Sequence, residues 1–177
     1  MYKKYTRYYP LLTIEVEEWN NNCVRAYSLN THDANGELMV GNSPKFTSND
    51  VIEEFTLEKV FGTKDNILID PIEKAPTNEY DFTFKGWNTE GVLTFTERDY
   101  KTLDNSIADS IRLAEAACAD KLIIAWDGEQ YTTFNDFDFS TTFDENNQEL
   151  NIYPTYVAKV RTWTATFTDG LGNIVDQ

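Results

Sequence analysis

The sequence contains few of the residues from which common catalytic and metal sites are built. It has one histidine, His32, and two cysteines, Cys23 and Cys118, among 177 residues. No partner nucleophile stands out beside His32, neither cysteine has a histidine nearby in the sequence, and these three residues do not have the usual spacing of a zinc site. The glycines are scattered rather than gathered in a phosphate-binding loop. The sequence therefore predicts no cofactor and points away from an enzyme.

These scarce residues have ordinary structural interpretations. Two cysteines are too few for a disulfide framework, and we interpret both as small buried side chains in a reducing compartment. His32 lies in the polar stretch NTHDANGE, where Asn35 and Gly36 are typical of a tight hairpin turn between residues 23–29 and 37–40. We therefore expect His32 to be a solvent-exposed loop residue.

Basic residues are also scarce. The chain has 15 Lys and Arg against 30 Asp and Glu, which gives a formal net charge of −15. Nucleic acids and anionic membranes bind basic surfaces, so this charge argues against both as partners. No stretch is long and apolar enough to span a bilayer. Near the start, Glu15, Glu17 and Glu18 interrupt any core of a secretory signal, so we expect a protein that does not use the common export route.

Aromatic residues are abundant, at 14% of the chain, and threonine accompanies them in several alternating segments. Both residue types favour strands. The clearest segment is YDFTFKGW, residues 80–87, in which Tyr80, Phe82 and Phe84 share one strand face. A stripe of this kind could bind a sugar or a peptide, but we interpret it as the core-facing side of a strand. Phe82, Phe84 and Trp87 are then expected to be largely buried.

One segment has a clear helical pattern. Residues 104–119 place apolar side chains on one stripe, with Asp104 or Asn105 as the N-cap. The stripe consists of Ile107, Ile111, Leu113, Ala114 and Ala117. A shorter helix could begin at Asp50 and end at Gly62, although the same segment also suits a strand. Strands precede and follow the clear helix, and this order predicts a strand-rich α+β domain rather than alternating β-α units.

Acidic side chains are the remaining candidates for chemistry. Asp136 and Asp138 lie in an alternating segment, which would place both on one side of a strand. The turn that follows has the alternate-oxygen spacing of a calcium loop without the central glycine and length of an EF-hand, and an acidic turn without metal is the alternative. The calcium candidates are Asp144, Asn146, Gln148 and Glu149. No acid–base pair for a carboxylate enzyme such as a glycosidase stands out.

Two stretches resemble a known repeat family. DPIEKAPTNEYDFTFKGWN and, much later, NQELNIYPTYVAKVRTWTATFTDGLGNIVD are similar to the internalin-type B-repeat, also called the Listeria–Bacteroides repeat. The residues that match its signature and closing strand include Phe82, Phe84, Gly86, Trp87, Tyr153 and Tyr156. The resemblance implies a β-grasp-like module with a mixed sheet, strung in tandem on cell-surface proteins and often on phage virion proteins. The sequence here looks closest to the phage versions, and Gly86 would let the chain turn beneath the indole.

The resemblance also implies a domain organisation. Residues 1–20 would form an N-terminal attachment strand or arm, and residues 21–160 the repeat module. Within the module, residues 91–142 are an inserted helix–strand unit that the family lacks, and Pro154 replaces a small residue. Residues 161–177 would be the first hairpin of a following repeat, or a tail that pairs with a partner.

These observations favour a non-enzymatic structural protein of a phage virion, in the tail, neck, capsid decoration or fibre. Its partners would be other virion proteins or copies of itself in a symmetric assembly, and it would be located in the virion after assembly in the host cytoplasm. The alternative is a bacterial surface adhesin or carbohydrate-binding module that contacts a host polysaccharide through exposed aromatics. The candidate aromatics are Trp19, Trp126 and Trp163.

Overall fold

The computed structural model describes residues 26–39, 45–47, 56–142 and 149–176. The strands, in chain order, are β1 Ala26–Thr31, β2 Lys45–Thr47, β3 Gly62–Thr63, β4 Asn66–Ile67, β5 Tyr80–Asn88, β6 Leu93–Thr96, β7 Ile124–Trp126, β8 Tyr131–Thr133, β9 Glu149–Val160, β10 Phe167–Thr168 and β11 Ile174–Asp176. The helices are α1 Leu57–Phe61, α2 Ile107–Ala119 and α3 Phe139–Thr142, with a 3₁₀ turn at Glu97–Tyr100. The prediction of a strand-rich α+β fold is confirmed.

The central strand of the main sheet is β9. In the described part of the chain this sheet has seven strands, in the order β2-β1-β9-β5-β7-β8, and β6 also pairs with β9. Along one edge of β9, β5 runs antiparallel to it. Along the other edge β1 and β6 run parallel to it, β1 beside residues 149–152 and β6 beside residues 155–158. The mixed sheet therefore depends on a strand that comes late in the chain.

Pro154 lies within β9, where a residue without an N–H would normally interrupt a ladder. The carbonyl of Ile152 accepts the N–H of His32 at 3.1 Å, and the N–H of Val160 points to the same edge, where Glu97 accepts it at 3.0 Å. By the two-residue period of a strand, Pro154 also faces this edge. It falls in the gap between the segment paired with β1 and the segment paired with β6. The missing N–H therefore costs no ladder bond to either strand.

The strand predicted at YDFTFKGW is present as β5, but Gly86 has a different role from the one predicted. Its φ is +141°, and a Cβ built on it would lie 2.1 Å from the carbonyl oxygen of Ile124 in β7. The register between β5 and β9 shifts between Phe84 and Gly86, which marks a bulge. Glycine is therefore required by the close approach of β7, and a turn beneath the indole of Trp87 is not the reason.

The helix α2 begins later than its sequence pattern predicts. Ser106, rather than Asp104 or Asn105, is the N-cap, and its side chain accepts the N–H of Asp109 at 3.0 Å. The Asp109 carboxylate accepts the N–H of Ser106 in return, which completes a capping box. The side chain of Asn105 instead donates to the carbonyl of Tyr100 at 2.8 Å. The prediction of the N-cap is wrong because Asn105 closes the preceding turn.

The buried face of α2 also differs from the predicted stripe. Ile107 is 64% exposed and Leu113 is 38% exposed. Ala114 of the predicted stripe is fully buried, and the other fully covered side chains are those of Ser110 and Cys118, which the stripe did not include. Small side chains let the helix backbone lie close to the sheet, whereas the sequence pattern gave the most weight to bulky residues. The consequence is that large apolar side chains at the start of α2 remain at the surface.

The turn predicted at Asn35-Gly36 is present, but its flanking strands are not those expected. The segment after the turn forms one bridge, between His32 and Leu38, and the N–H of Met39 donates to the carbonyl of Thr31 at 2.8 Å. The antiparallel partner of β1 is β2, with Ala26 opposite Thr47. We predicted a strand at residues 37–40. The structure describes residues 37–39 of this segment and they do not form a strand, so the prediction is wrong for them.

The short helix before β3 ends where it was predicted and begins at a different cap. Gly62 closes α1 with φ of +86°. Thr56 is the N-cap, and its hydroxyl accepts the N–H of Lys59 at 3.3 Å. The earlier candidate cap, Asp50, lies outside the described residues. The helix places Phe61 in the core, 4.8 Å from Tyr131 between ring centroids.

The core has two parts, one on each side of the central strands. The larger cluster includes Leu29, Phe61, Phe84, Trp87, Ile124, Tyr131, Ile152 and Tyr156. The smaller one, beneath α2, consists of Ala114, Cys118, Leu122 and Val157. Consecutive residues of β9, Tyr156 and Val157, thus point into different clusters, as the alternation of a strand requires. Both faces of the sheet are covered at this point.

Candidate interaction surfaces

The structure places the residues of the predicted family signature mainly in the core. Phe84, Trp87 and Tyr156 are buried. Phe82 is half-buried, and the Nζ of Lys74 lies 4.5 Å from the centre of its ring. The expectation of burial is confirmed for Phe84 and Trp87, and Phe82 is partly buried against the same core cluster. These aromatics stabilise the sheet and do not form an exposed binding platform.

His32 is a structural residue and not the exposed loop residue that was predicted. Only 8% of it is exposed. Its Nδ1 lies 3.0 Å from the carbonyl oxygen of Ile152, and its ring stacks on the half-buried Tyr153 with centroids 4.1 Å apart. Because a carbonyl oxygen only accepts, Nδ1 carries the proton. The sequence feature that could have indicated burial is the position of His32 directly after the predicted strand. In the structure its N–H continues the pairing of β1 with β9.

Asp33 organises the first turn of the chain that the structure describes. Its Oδ1 accepts the N–H of Asn35 at 2.8 Å and that of Glu37 at 2.9 Å. Gly36 adopts φ of +83° to close the turn. The backbone N–H groups, of Glu37 first and then of Asn35, hold the pKa of Asp33 below its usual value. The carboxylate therefore has a structural task.

Asp169 organises a turn of the same design near the end of the chain. Its Oδ1 accepts the N–H of Leu171 at 2.8 Å and that of Asn173 at 2.8 Å. Gly172 adopts φ of +85°. In both turns the N–H donors lie two and four residues after the aspartate, and the glycine lies three residues after it. Hydrogen bonds from the side chain and then the backbone of Asn173 are the main causes that lower the pKa of Asp169.

Asp136 and Asp138 are not on one side of a strand, so that prediction is wrong. Asn135 and Asp136 have φ of +50° and +57°, which is the left-handed region and belongs to a turn. The side-chain amide of Asn135 donates to the carbonyls of Ala119 and Leu122, at 2.9 and 2.8 Å. The segment therefore ties the end of α2 to the end of β8. It presents no paired acid and base.

The calcium candidates cannot be joined into a site within the described residues. Asp144, Asn146 and Gln148 lie outside them, and Glu149 is an exposed residue at the start of β9. Among the residues that the structure describes, no group of three or more His, Cys, Asp or Glu could hold a metal ion. Nor does any helix in this part of the chain have the length and apolarity to cross a membrane.

Cys118 is a buried helix residue, as predicted, and Cys23 lies outside the described residues. Burial is the main cause that raises the pKa of the Cys118 thiol to about 12. The thiolate is the nucleophile and the metal ligand. A protonated thiol beneath α2 therefore serves as a small packing residue.

The predicted interaction aromatics fall in different environments. Trp19 lies outside the described residues. Trp126 is half-buried and packs on Tyr131, with ring centroids 4.7 Å apart. Trp163 is 72% exposed, and the guanidinium of Arg161 lies 4.8 Å from its ring centre. Only Trp163, of the two described, offers most of its ring surface to a partner.

Trp163 leads into a hairpin that is exposed on both faces. Residues 167–176, named here the tail hairpin, pair β10 with β11 around the turn at Asp169. Ile174 and Val175 are consecutive in β11, so they point to opposite faces, and they are 63% and 65% exposed. Neither face is thus covered by the described part of the chain. An isolated two-stranded hairpin is marginally stable in water.

A second apolar surface lies beside Val160 and Thr162, the residues that precede the tail hairpin. It is a groove of about 480 Å³ between the 3₁₀ turn, the first half of α2 and the end of β9. Its inner surface is almost entirely apolar and includes Ile107, Ile111 and Val160. The groove also has a cationic rim, formed by Arg98, Lys101 and Lys159, and is named here the cationic groove.

The charge of this rim contrasts with that of the whole chain, which is −15. Arg98 forms an ion pair with Glu79, at 3.7 Å. Lys101 donates to backbone carbonyls and to the side-chain amide oxygen of Asn105, and not to a carboxylate. Lys159 has no ion pair among the described residues. Among the described residues neither Lys101 nor Lys159 thus forms an ion pair with a carboxylate, although the charge of Lys101 contributes to lowering the pKa of Asp109.

Glu97 is the acidic residue that lines the groove, and its charge is directed inward. It is 8% exposed, and its Oε1 accepts the N–H of Val160 at 3.0 Å. Strand β6 pairs with β9 only as far as Ala158, so the carboxylate of Glu97 accepts the N–H of Val160 in place of a strand neighbour. The surface that the groove presents to a partner is therefore apolar inside and positive at the rim.

Comparison with known proteins gives no match to this chain, either among family models or among characterised proteins and solved structures. The resemblance to the internalin-type B-repeat accordingly rests on the residues quoted above and stays a prediction.

Proposed function

We propose that the chain is a non-enzymatic structural module of a phage virion, in its tail, neck, capsid decoration or fibre, and that the tail hairpin is its attachment element. The observation that carries the proposal is the exposure of apolar side chains on both faces of this hairpin. Large apolar side chains exposed together on one short element favour a protein–protein contact. Full burial of one Ile or Leu side chain contributes about 1.5–3 kcal/mol, so cover by a partner would stabilise both the hairpin and the contact.

An internal similarity supports this role for the tail hairpin. RAYSLNTHDANGELMV, residues 25–40, and RTWTATFTDGLGNIVD, residues 161–176, share an arginine, an aromatic residue, an aspartate and a glycine at matching positions. The turns at Asp33 and Asp169 also share their hydrogen bonds. In the module, the first segment is covered: Leu29 is fully buried, and β1 pairs with β2 and β9. The tail segment is an element of the same kind without those neighbours, and a partner would supply them.

The non-enzymatic part of the proposal is supported by what the polar side chains do. The aspartates with lowered pKa values accept hydrogen bonds that close turns or cap α2. The Cys118 thiol is held protonated by burial. Catalytic groups usually show the opposite pattern, with a carboxyl or thiol tuned towards the operating pH. The virion assignment itself is supported by the resemblance to phage versions of the repeat.

Particles purified from the source of the gene test the proposal directly. We expect mass spectrometry to find the chain in these particles at a fixed ratio to a major virion protein. Replacing the gene by the double variant Ile174→Asp/Val175→Asp should remove the chain from the particles while it remains soluble in the lysate. The matched control is Thr132→Asp/Thr133→Asp, a change at exposed polar positions of β8. Particles that lack the wild-type chain, or that retain the hairpin variant in full, would contradict the proposal.

Trp163 favours a second candidate, a bacterial surface adhesin or carbohydrate-binding module. Its ring is 72% exposed, as the stacking of a sugar requires. Titration of host surface polysaccharides into the protein should then change tryptophan fluorescence, and Trp163→Ala should abolish the change. Trp126→Phe, at a half-buried position, is the control. A titration without response removes this candidate.

A further inference from the structure

We infer that the partner of the tail hairpin is a second copy of this chain, and that the hairpin binds in the cationic groove of that copy. This inference rests on the proposed role of the hairpin in attachment and names the surface that receives it. One copy would donate its hairpin and the next would accept it, so the contact is head-to-tail. A contact of this type generates a ring if the rotation closes and a filament if it does not.

The two surfaces match in their apolar character. The groove exposes Ile107, which is 64% exposed, beside Ile111 and Val160. The hairpin exposes Leu171, at 88%, together with Ile174 and Val175. Contact between the two surfaces would remove apolar side chains of both from water.

The two surfaces are also complementary in charge. The rim of the groove carries Arg98, Lys101 and Lys159. The sequence of the tail hairpin, FTDGLGNIVD, contains two aspartates and no lysine or arginine. Elsewhere a chain of net charge −15 would repel a second copy of itself. In the described part of the chain, the cationic groove offers opposite charge to an acidic, apolar segment of another copy, and this favours binding of the hairpin there.

The hairpin of the same chain does not fill its own groove. Thr162 lines the groove, and residues 163–166 connect it to β10 without regular structure. Four extended residues reach at most about 14 Å, so a hairpin that folded back would have to reverse direction immediately at the rim. In the structure the apolar side chains of the hairpin are exposed and none of its residues lines the groove, so the groove is open to a second copy.

Self-association of the wild-type chain is the first test. Sedimentation velocity over a range of concentrations should show species larger than the monomer, and raising the salt concentration should weaken them because the rim charges are screened. Lys159→Glu should raise the dissociation constant at least about tenfold. Lys64→Glu makes the same change of charge at an exposed position outside the groove and should have little effect.

The apolar part of the groove has its own matched pair of variants. Ile107→Asp places a charge inside the groove, and an acidic residue in the first turn of a helix is compatible with folding. Leu103→Asp makes the same change four residues earlier, at a fully exposed position that does not line the groove. Only Ile107→Asp should prevent self-association. Circular dichroism and the urea midpoint should show that both variants are folded.

A mixing experiment separates this arrangement from other forms of self-association. Ile107→Asp/Lys159→Glu has a defective groove and an intact hairpin, whereas Ile174→Asp/Val175→Asp has the reverse. Each should be monomeric alone, and the mixture should form a one-to-one complex and nothing larger. A mixture that stays monomeric, self-association that either groove variant leaves unchanged, or a wild-type chain that is monomeric at every concentration would each overturn the inference.

The failure of this inference and that of the proposed function can be told apart. If the chain is present in particles but never associates with itself, the hairpin has another virion protein as its partner, and only the second-copy inference fails. If the chain associates through the groove but is absent from particles, the virion assignment fails and the head-to-tail contact stands.

Discussion

The carbonyl oxygen of Ile124 occupies the space that a side chain on Gly86 would need, since a Cβ built on Gly86 lies 2.1 Å from it. Strand β7 therefore lies close to β5 only because residue 86 has no side chain. We expect Gly86→Ala to lower the free energy of unfolding by more than about 2 kcal/mol, because the backbone has positive φ and β7 must move away. Urea denaturation at equilibrium measures the loss.

Gly91→Ala is the matched control for this prediction. Gly91 has nearly the same backbone, with φ of +138° against +141° for Gly86, but nothing lies within 4 Å of a Cβ built on it. The free energy of unfolding of Gly91→Ala should fall by about 1–2 kcal/mol, because only the strain of the backbone with positive φ contributes. Equal losses in the two variants would show that contact with β7 is not what requires glycine.

Asn88, the last residue of β5, is a second residue of this strand that stabilises the fold. It is fully buried, and its Nδ2 donates to the hydroxyl of Thr155 at 2.7 Å and to the carbonyl of Gly91 at 2.9 Å. Asn88→Asp keeps the shape but turns carboxylate oxygens towards these acceptors. We expect a loss of about 3 kcal/mol in the free energy of unfolding at neutral pH. Asn151→Asp, at an exposed position of β9, should cost much less, and the opposite ranking would refute the prediction.

The capping box of α2 gives a prediction that separates two candidate starts of the helix. Ser106→Ala removes the acceptor for the N–H of Asp109 and should cost about 1 kcal/mol. Asp104→Ala, at the start that the sequence pattern indicated, should change the free energy of unfolding by less than about 0.5 kcal/mol. Thermal unfolding followed by circular dichroism checks both. A larger loss for Asp104→Ala would place the functional cap two residues earlier.

Cys118 gives a prediction about alkaline pH. Burial raises the pKa of the folded thiol from its usual value of 9.0 to about 12. The folded state therefore holds the proton more tightly, so this contribution to stability is complete below pH 9.0 and is lost progressively between pH 9.0 and about 12. Burial also raises the pKa values of Tyr131 and Tyr156, which adds to the decline in the same direction.

Measurement of the urea midpoint from pH 8 to about pH 11 tests this linkage. Cys118→Ala should lose stability at neutral pH but should show a shallower decline above pH 9.0, since the thiol no longer titrates on unfolding. The slope is the informative quantity, because it does not depend on how much the variant is destabilised overall. Identical slopes for the two proteins would contradict the assignment of the raised pKa to Cys118.

The sequence predicts best those helices and strands whose side-chain periodicity is complete within a single segment. The alternation of Tyr80–Asn88 and the β-branched and aromatic side chains of Glu149–Val160 each predict a strand without reference to any other part of the chain. The helix 107–119 follows in the same way from its period. In the two strands local propensity and tertiary structure agree, whereas in the helix the period predicts the element but not its first residue or its whole buried face.

The features that the sequence does not predict depend on which segments meet. His32 is buried because β1 happens to run beside residues 149–152, and nothing in NTHDANGE announces that neighbour. The cationic groove joins Arg98, Ile107 and Lys159, which lie on three separate elements. The close packing of α2 on small side chains depends on the sheet beneath it. Contacts of this kind are fixed by tertiary packing, which overrides the local pattern.

The placement of β9 has a mechanical consequence. The tail leaves the sheet at Val160, directly from the end of this 12-residue strand, which is bonded to β5 on one edge and to β1 and β6 on the other. A pull on the hairpin would act along the strand, across hydrogen bonds that lie perpendicular or oblique to the force. These bonds would be loaded together in shear and not opened one after another. A component anchored by its tail would transmit tension into the most strongly connected part of its fold.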